Sequence, residues 1–93
     1  MKGTIEERLR EQFGNDEEIL GTIVILKNPD YEDAIVGISQ DHRLIYDYNL
    51  MVKSLMKEDN MTEEDAIDFI EYNTIRALPY MGIPPIIMHE ILE

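Results

Sequence analysis

The sequence lacks cysteine altogether, so disulfide bonds cannot stabilise the fold and a cysteine nucleophile is excluded. It also lacks any run of about 18 apolar residues, the length that a membrane-spanning helix requires. The amino-terminal segment MKGTIEERLREQ has no apolar stretch of the kind found in secretory signal peptides. These absences predict a soluble intracellular protein without a membrane partner.

Basic residues are scarce: 8 lysines and arginines stand against 20 aspartates and glutamates, for a formal net charge of −12. Direct binding to nucleic acid is disfavoured, because most of that affinity comes from basic side chains that neutralise phosphates. A basic protein partner is attracted instead, and the negative field accelerates its association. A second interpretation stays open, in which the charge serves only to keep a small protein soluble.

Residues suited to metal binding or catalysis are few. The two histidines, His42 and His89, show no spacing typical of a transition-metal site. The acidic segment that begins at Asn28 departs from a calcium-binding loop at its sixth and twelfth positions, where Asp33 and Ser39 replace glycine and glutamate. Neither histidine is accompanied by a cysteine or an activated serine that it could deprotonate as a general base. The sequence therefore predicts no metal, no cofactor and no enzymatic activity.

Hydrophobic periodicity and helix caps predict a single α+β domain spanning residues 1–93. Thr4 begins a capping box, Asp47 and Thr62 are further N-caps, and Pro79 is expected to end the last helix. The strands are expected to form a three- to four-stranded, mainly antiparallel sheet packed against the helices. The expected element order is α-β-β-β-α-α-β, at residues 5–13, 19–27, 34–39, 44–46, 48–57, 63–78 and 86–92.

Acidic residues follow one face of the last predicted helix. Glu64, Asp68 and Glu71 are spaced i, i+4 and i+7, and Glu63 and Asp65 extend this carboxylate stripe toward the helix start. Neighbouring carboxylates on such a face lie roughly 5–6 Å apart, which is on the scale of the phosphates along one nucleic-acid strand. The stripe is therefore a candidate surface for mimicking DNA or RNA. The alternative is an ordinary solvated helix face.

An uncharged segment, residues 78–88, follows the stripe. Its apolar side chains are either part of the core or a surface through which two copies associate as a homodimer. The candidates for self-association are Tyr80, Met81, Ile83, Ile86 and Met88.

Polar residues also occur within the last predicted helix, at a place where helix formers are expected. Asn73 is predicted near the inner face, where it would pair with a backbone group of the sheet and fix how the helix docks. A stacked or buried role is predicted for Arg76, four residues after Tyr72, with Asp47 or Glu71 as a candidate ion-pair partner. A functional cleft lined by several tyrosines is the alternative; its members would be Tyr46, Tyr48, Tyr72 and Tyr80.

Residues 29–88, and above all the string EYNTIRALPYM at residues 71–81, resemble a family of small uncharacterised proteins. The genes of this family belong to bacteriophages and mobile elements of Gram-positive bacteria. The resemblance implies a role in the cytoplasm of a bacterial host, where small acidic proteins of such elements often inhibit defence machinery, anti-CRISPR proteins among them. It implies no catalytic residues.

Charge, stripe and resemblance together predict a non-enzymatic inhibitor that binds a basic or nucleic-acid-binding host protein by nucleic-acid mimicry. A self-associating structural or assembly module with no host target is the alternative.

Overall fold

The computed structural model of the chain describes residues 3–27 and 29–91. The α-helices are α1 (Ile5–Phe13), α2 (Glu17–Thr22), α3 (Tyr48–Glu58) and α4 (Glu63–Phe69). The strands are β1 (Ile35–Ile38), β2 (Leu44–Asp47) and β3 (Ile86–Met88). A short 3₁₀ helix precedes β1 at Glu32–Ala34, and α4 continues into a π-helical turn at Ile70–Thr74 and a 3₁₀ helix at Ile75–Tyr80. The predicted α+β class and a three-stranded sheet are confirmed.

The sheet is mixed, with β2 between β1 and β3. β1 and β2 form an antiparallel hairpin in which Ile38 pairs with Leu44, and a bulge interrupts the register near Gly37. β3 pairs with β2 in parallel, with Ile45 opposite Ile86. The prediction of a mainly antiparallel sheet was therefore wrong for β3. The intervening α3 and α4 form a long crossover, which returns the chain to the sheet in the direction of β2.

The predicted strand at residues 19–27 was wrong. Its first half belongs to α2, because the Asp16 carboxylate accepts hydrogen bonds from the N–H groups of Glu18 and Ile19 at 3.1 and 3.2 Å. This cap satisfies exposed donors at the helix start and outweighs the β propensity of the isoleucines. Residues 23–27 follow without joining the sheet. Within them the buried Leu26 N–H donates to the Tyr46 hydroxyl at 3.0 Å.

α3 is the central element of the core, and its predicted bounds are confirmed to within one residue. The Asp47 carboxylate caps it by accepting from the Leu50 N–H at 3.1 Å. One face of α3 packs on β2, α4 and the 3₁₀ helix before β1, burying Met51 and Leu55 completely. This buried face anchors α3 in the hydrophobic core.

The last predicted helix changes its geometry twice. Thr62 caps α4 as expected, by accepting from the Asp65 N–H at 3.1 Å. The π-helical turn follows, and its last residue, Thr74, is buried. Asn73 is exposed and donates to the Phe69 carbonyl at 3.1 Å, so its predicted inner position was wrong. Pro79 lies inside the 3₁₀ helix, which ends two residues later than predicted.

No helix among the described residues is both long and apolar enough to cross a membrane. The predicted final strand at residues 86–92 is shorter than expected, since β3 ends at Met88 and its last predicted residue lies outside the described ranges.

Candidate binding surface

A shallow groove of about 510 Å³ lies where α4 passes into the π-helical turn. We call it the α4 groove. Its lining consists of Asp68 from the last part of α4, Glu71 and Tyr72 from the π-helical turn, and Arg76 from the 3₁₀ helix. A groove with two carboxylates and one aromatic ring combines charge with an apolar face, which suits a cationic side chain.

The Glu71 carboxylate is held in place by a tyrosine of α3. The Tyr48 hydroxyl donates to Glu71 Oε2 at 2.8 Å, and the Tyr48 ring is buried. Burial, the hydrogen bond to Glu71 and the negative charges of Glu71 and Asp68 together raise the pKa of Tyr48 to about 12. Tyr48 therefore remains a neutral donor at physiological pH and fixes one side of the groove.

Tyr72 presents its ring to solvent and is 68% exposed. The guanidinium carbon of Arg76 lies over this ring, 4.8 Å from its centroid. The predicted stacked role of Arg76 is confirmed, whereas pairing with Asp47 or Glu71 is not seen: neither carboxylate lies within 4 Å of its guanidinium. A guanidinium of the chain itself therefore lies against the aromatic ring of the groove.

The structure brings together only part of the predicted carboxylate stripe. Asp68 and Glu71 share the α4 groove, while Glu63, Glu64 and Asp65 are exposed in the first turn of α4 and do not line it. At that position they also stabilise the helix through its dipole. Within residues 3–27 and 29–91, none of the five forms a salt bridge. Their charges are therefore available to an external cation.

A second acidic groove was not predicted. It has a volume of about 600 Å³, and its charged lining residues are Glu6, Lys27, Asp30, Glu32, Glu58 and Asp59. These carboxylates come from α1, from the loop before β1 and from the end of α3, so no local periodicity in the sequence reveals them. α3 separates the two grooves: Tyr48 at its start contacts the α4 groove, and Glu58 at its end lines the second one, about 15 Å away along the axis.

The carboxylates of the second acidic groove help to raise the pKa of a buried tyrosine hydroxyl in the core. Burial raises the pKa of Tyr46, the hydrogen bond from the Leu26 N–H opposes this rise, and the charges of Asp30, Glu32 and Glu6 add to it, for a pKa of about 12. Here the carboxylates act together on one buried hydroxyl.

Both histidines contact aromatic rings. His42 meets Phe13 edge-on with ring centroids 5.3 Å apart, and His89 stacks on Tyr48 at 4.5 Å. Among the described residues, no group of three or more histidine, aspartate or glutamate side chains is arranged to hold a metal ion. The described histidines therefore take part in aromatic contacts.

The C-terminal apolar segment, residues 78–88, divides into two parts. Tyr80 and Ile83 are 89% and 57% exposed, whereas Met81, Ile86 and Met88 are half-buried. The four tyrosines of the alternative cleft do not share one surface: Tyr46 and Tyr48 are buried, whereas Tyr72 and Tyr80 are exposed.

Comparison with known proteins adds no relative: no family model, no curated protein and no solved structure matches the chain. The candidate surface therefore rests on its own geometry and charge.

Proposed function

We propose that the protein is an acidic, non-enzymatic inhibitor that binds a basic, nucleic-acid-binding protein and occupies the surface meant for nucleic acid. The observation that carries this proposal is the α4 groove, where an exposed aromatic ring lies beside two carboxylates that form no salt bridge within residues 3–27 and 29–91. The net charge of −12 extends the attraction beyond the groove. The proposed setting is the cytoplasm of a bacterial host, with a phage or mobile element as the source and a defence protein, such as a CRISPR effector, as the target.

The charge arrangement supports nucleic-acid mimicry in particular. Nucleic-acid-binding proteins present rows of lysine and arginine to successive phosphates. Glu64 and Asp68 follow each other on one face of α4, and Glu71 continues into the next turn. Tyr72 adds a ring where a nucleic-acid strand would offer a base. The surface therefore offers both features that such a protein recognises.

A capture experiment with matched variants tests this proposal. The tagged protein is exposed to a bacterial lysate treated with nuclease and then washed with rising salt. The stripe variant carries Glu64→Gln, Asp68→Asn and Glu71→Gln, which keeps an acceptor for the Tyr48 hydroxyl. The control variant carries Glu7→Gln, Glu11→Gln and Glu18→Gln, which neutralises three exposed carboxylates on α1 and α2.

We expect the tagged protein to capture a nucleic-acid-binding protein from the lysate. This partner is released between about 50 and 500 mM salt, because screening weakens exposed charge pairs. Wild type and control variant retain this protein, and the stripe variant loses it. The purified protein then displaces a labelled nucleic acid from the captured partner. Equal retention by the stripe variant, or binding without displacement, contradicts the proposal.

Self-association is the second candidate function, favoured by the exposure of Tyr80, Ile83 and Ile91 close to the edge strand β3. Light scattering of the purified chain measures it directly. A structural module requires a salt-resistant species of at least twice 10.9 kDa, and Ile83→Asp is expected to dissociate it. A monomer at all concentrations removes this candidate.

A further inference from the structure

We propose that the α4 groove recognises an arginine side chain of the partner, and that Arg76 occupies this place in the free protein. The inference rests on the proposed function, because it names the group through which the basic partner is held. Asp68 and Glu71 alone specify only positive charge. The exposed ring of Tyr72, with a guanidinium already stacked on it at 4.8 Å, specifies the kind of cation.

The groove matches a guanidinium in shape as well as in charge. A guanidinium is planar, so it stacks on an aromatic face while its edge donates hydrogen bonds to a carboxylate. Glu71 is suited to receive such bonds, because the Tyr48 hydroxyl holds one of its oxygens at 2.8 Å and fixes its position. Asp68 lines the same groove one turn earlier. A lysine ammonium gains the charge but not the planar stacking.

Arg76 behaves as an internal competitor for this place. It lies over the Tyr72 ring, yet within the described residues it forms no salt bridge with Asp68 or Glu71. The carboxylates therefore stay available while the ring is partly covered. A partner arginine that stacks on the ring from the side of the carboxylates gains their attraction as well, which Arg76 does not reach. Arg76→Gln removes the competitor and a local positive charge, so it strengthens binding.

Calorimetric titration of the whole chain with two probes, hexa-arginine and hexalysine, tests the inference. The two peptides carry the same charge and differ in the cationic group. Wild type is expected to bind hexa-arginine more tightly by about two- to fivefold, the range of an exposed cation–π contact. Tyr72→Leu lowers this ratio toward one, and Tyr72→Phe, which retains the ring, preserves it.

Controls separate the groove from the general charge. The variant Glu58→Gln with Asp59→Asn changes the second acidic groove and is expected to leave the ratio unchanged. Arg76→Gln is expected to raise hexa-arginine affinity. A ratio that survives Tyr72→Leu, or weaker hexa-arginine binding by Arg76→Gln, overturns the arginine assignment. Equal binding of both peptides by wild type overturns it while leaving the proposed function standing; binding of neither peptide overturns both.

Discussion

At the scale of single residues, three tyrosine hydroxyls each join segments that are distant in the sequence. Tyr31 and Thr74 are 43 residues apart and share a buried hydrogen bond of 3.2 Å. The Tyr46 hydroxyl accepts from a backbone N–H 20 residues away, and Tyr48 reaches the Glu71 carboxylate 23 residues away. Since buried polar groups are costly unless paired, these bonds determine which packing arrangement is lowest in free energy.

Tyr31 and Thr74 provide a direct test of this point. Thr74→Val keeps the shape of the side chain but leaves the Tyr31 hydroxyl without its partner, at a cost of about 1–3 kcal/mol in the free energy of unfolding. Tyr31→Phe alone has a similar cost, while the double variant costs less than the sum of the two. A double-mutant cycle in urea measures this coupling. Strict additivity of the two losses would show that the hydrogen bond contributes nothing.

The buried tyrosines also predict how stability depends on pH. The pKa values of Tyr46 and Tyr48 rise from near 10 to about 12 on folding. A raised pKa contributes stability that is fully present below the unfolded value and is lost as pH rises through the folded value. We therefore expect the free energy of unfolding to fall steeply between about pH 10 and 12.

Tyr48→Phe is the matched variant for this pH dependence. It removes one titrating hydroxyl and the bond to Glu71, so stability at about pH 8 falls by roughly 0.5–1.5 kcal/mol. Above pH 10 its stability curve is shallower than that of wild type, because one fewer group titrates. Urea unfolding across this pH range measures both effects. Parallel curves for the two proteins would exclude Tyr48 as a source of the alkaline loss.

At the scale of elements, caps decided where helices begin, and sequence reasoning identified most of them. Thr4, Asp47 and Thr62 cap their helices as expected. The cap at Asp16 was not recognised, because the isoleucine-rich run after it has the composition of a strand. The π-helical turn after Phe69 was not predictable either, since no residue type specifies it and tertiary packing of Ile70 and Thr74 accompanies it.

The α2 helix is the element most dependent on its cap, because six residues form few internal hydrogen bonds. Asp16→Ala is expected to cost about 0.5–2 kcal/mol of stability and to raise hydrogen exchange at residues 19–22. Asp16→Asn keeps an acceptor oxygen and restores most of the loss. Unchanged exchange in the alanine variant would show that packing alone holds this helix.

At the scale of the whole molecule, charge was readable from the sequence but its distribution was not. Periodicity located the carboxylates of α4, because they belong to one helix. The second acidic groove assembles Glu6, Asp30 and Glu58 from three separate segments, so only the packing reveals it. The same holds for the α4 groove, where Tyr48 from another helix fixes Glu71.

Basic ligands are proposed to bind at the carboxylates of α4 and of the π-helical turn that follows it. Amide chemical-shift mapping of the isotope-labelled chain during titration with hexalysine tests it most directly. We expect the largest shifts within residues 63–76, and we expect them to diminish as salt rises and to disappear in the variant with Glu64, Asp68 and Glu71 neutralised. Largest shifts around Glu6, Asp30 and Glu58, or shifts spread evenly over the chain, would contradict it.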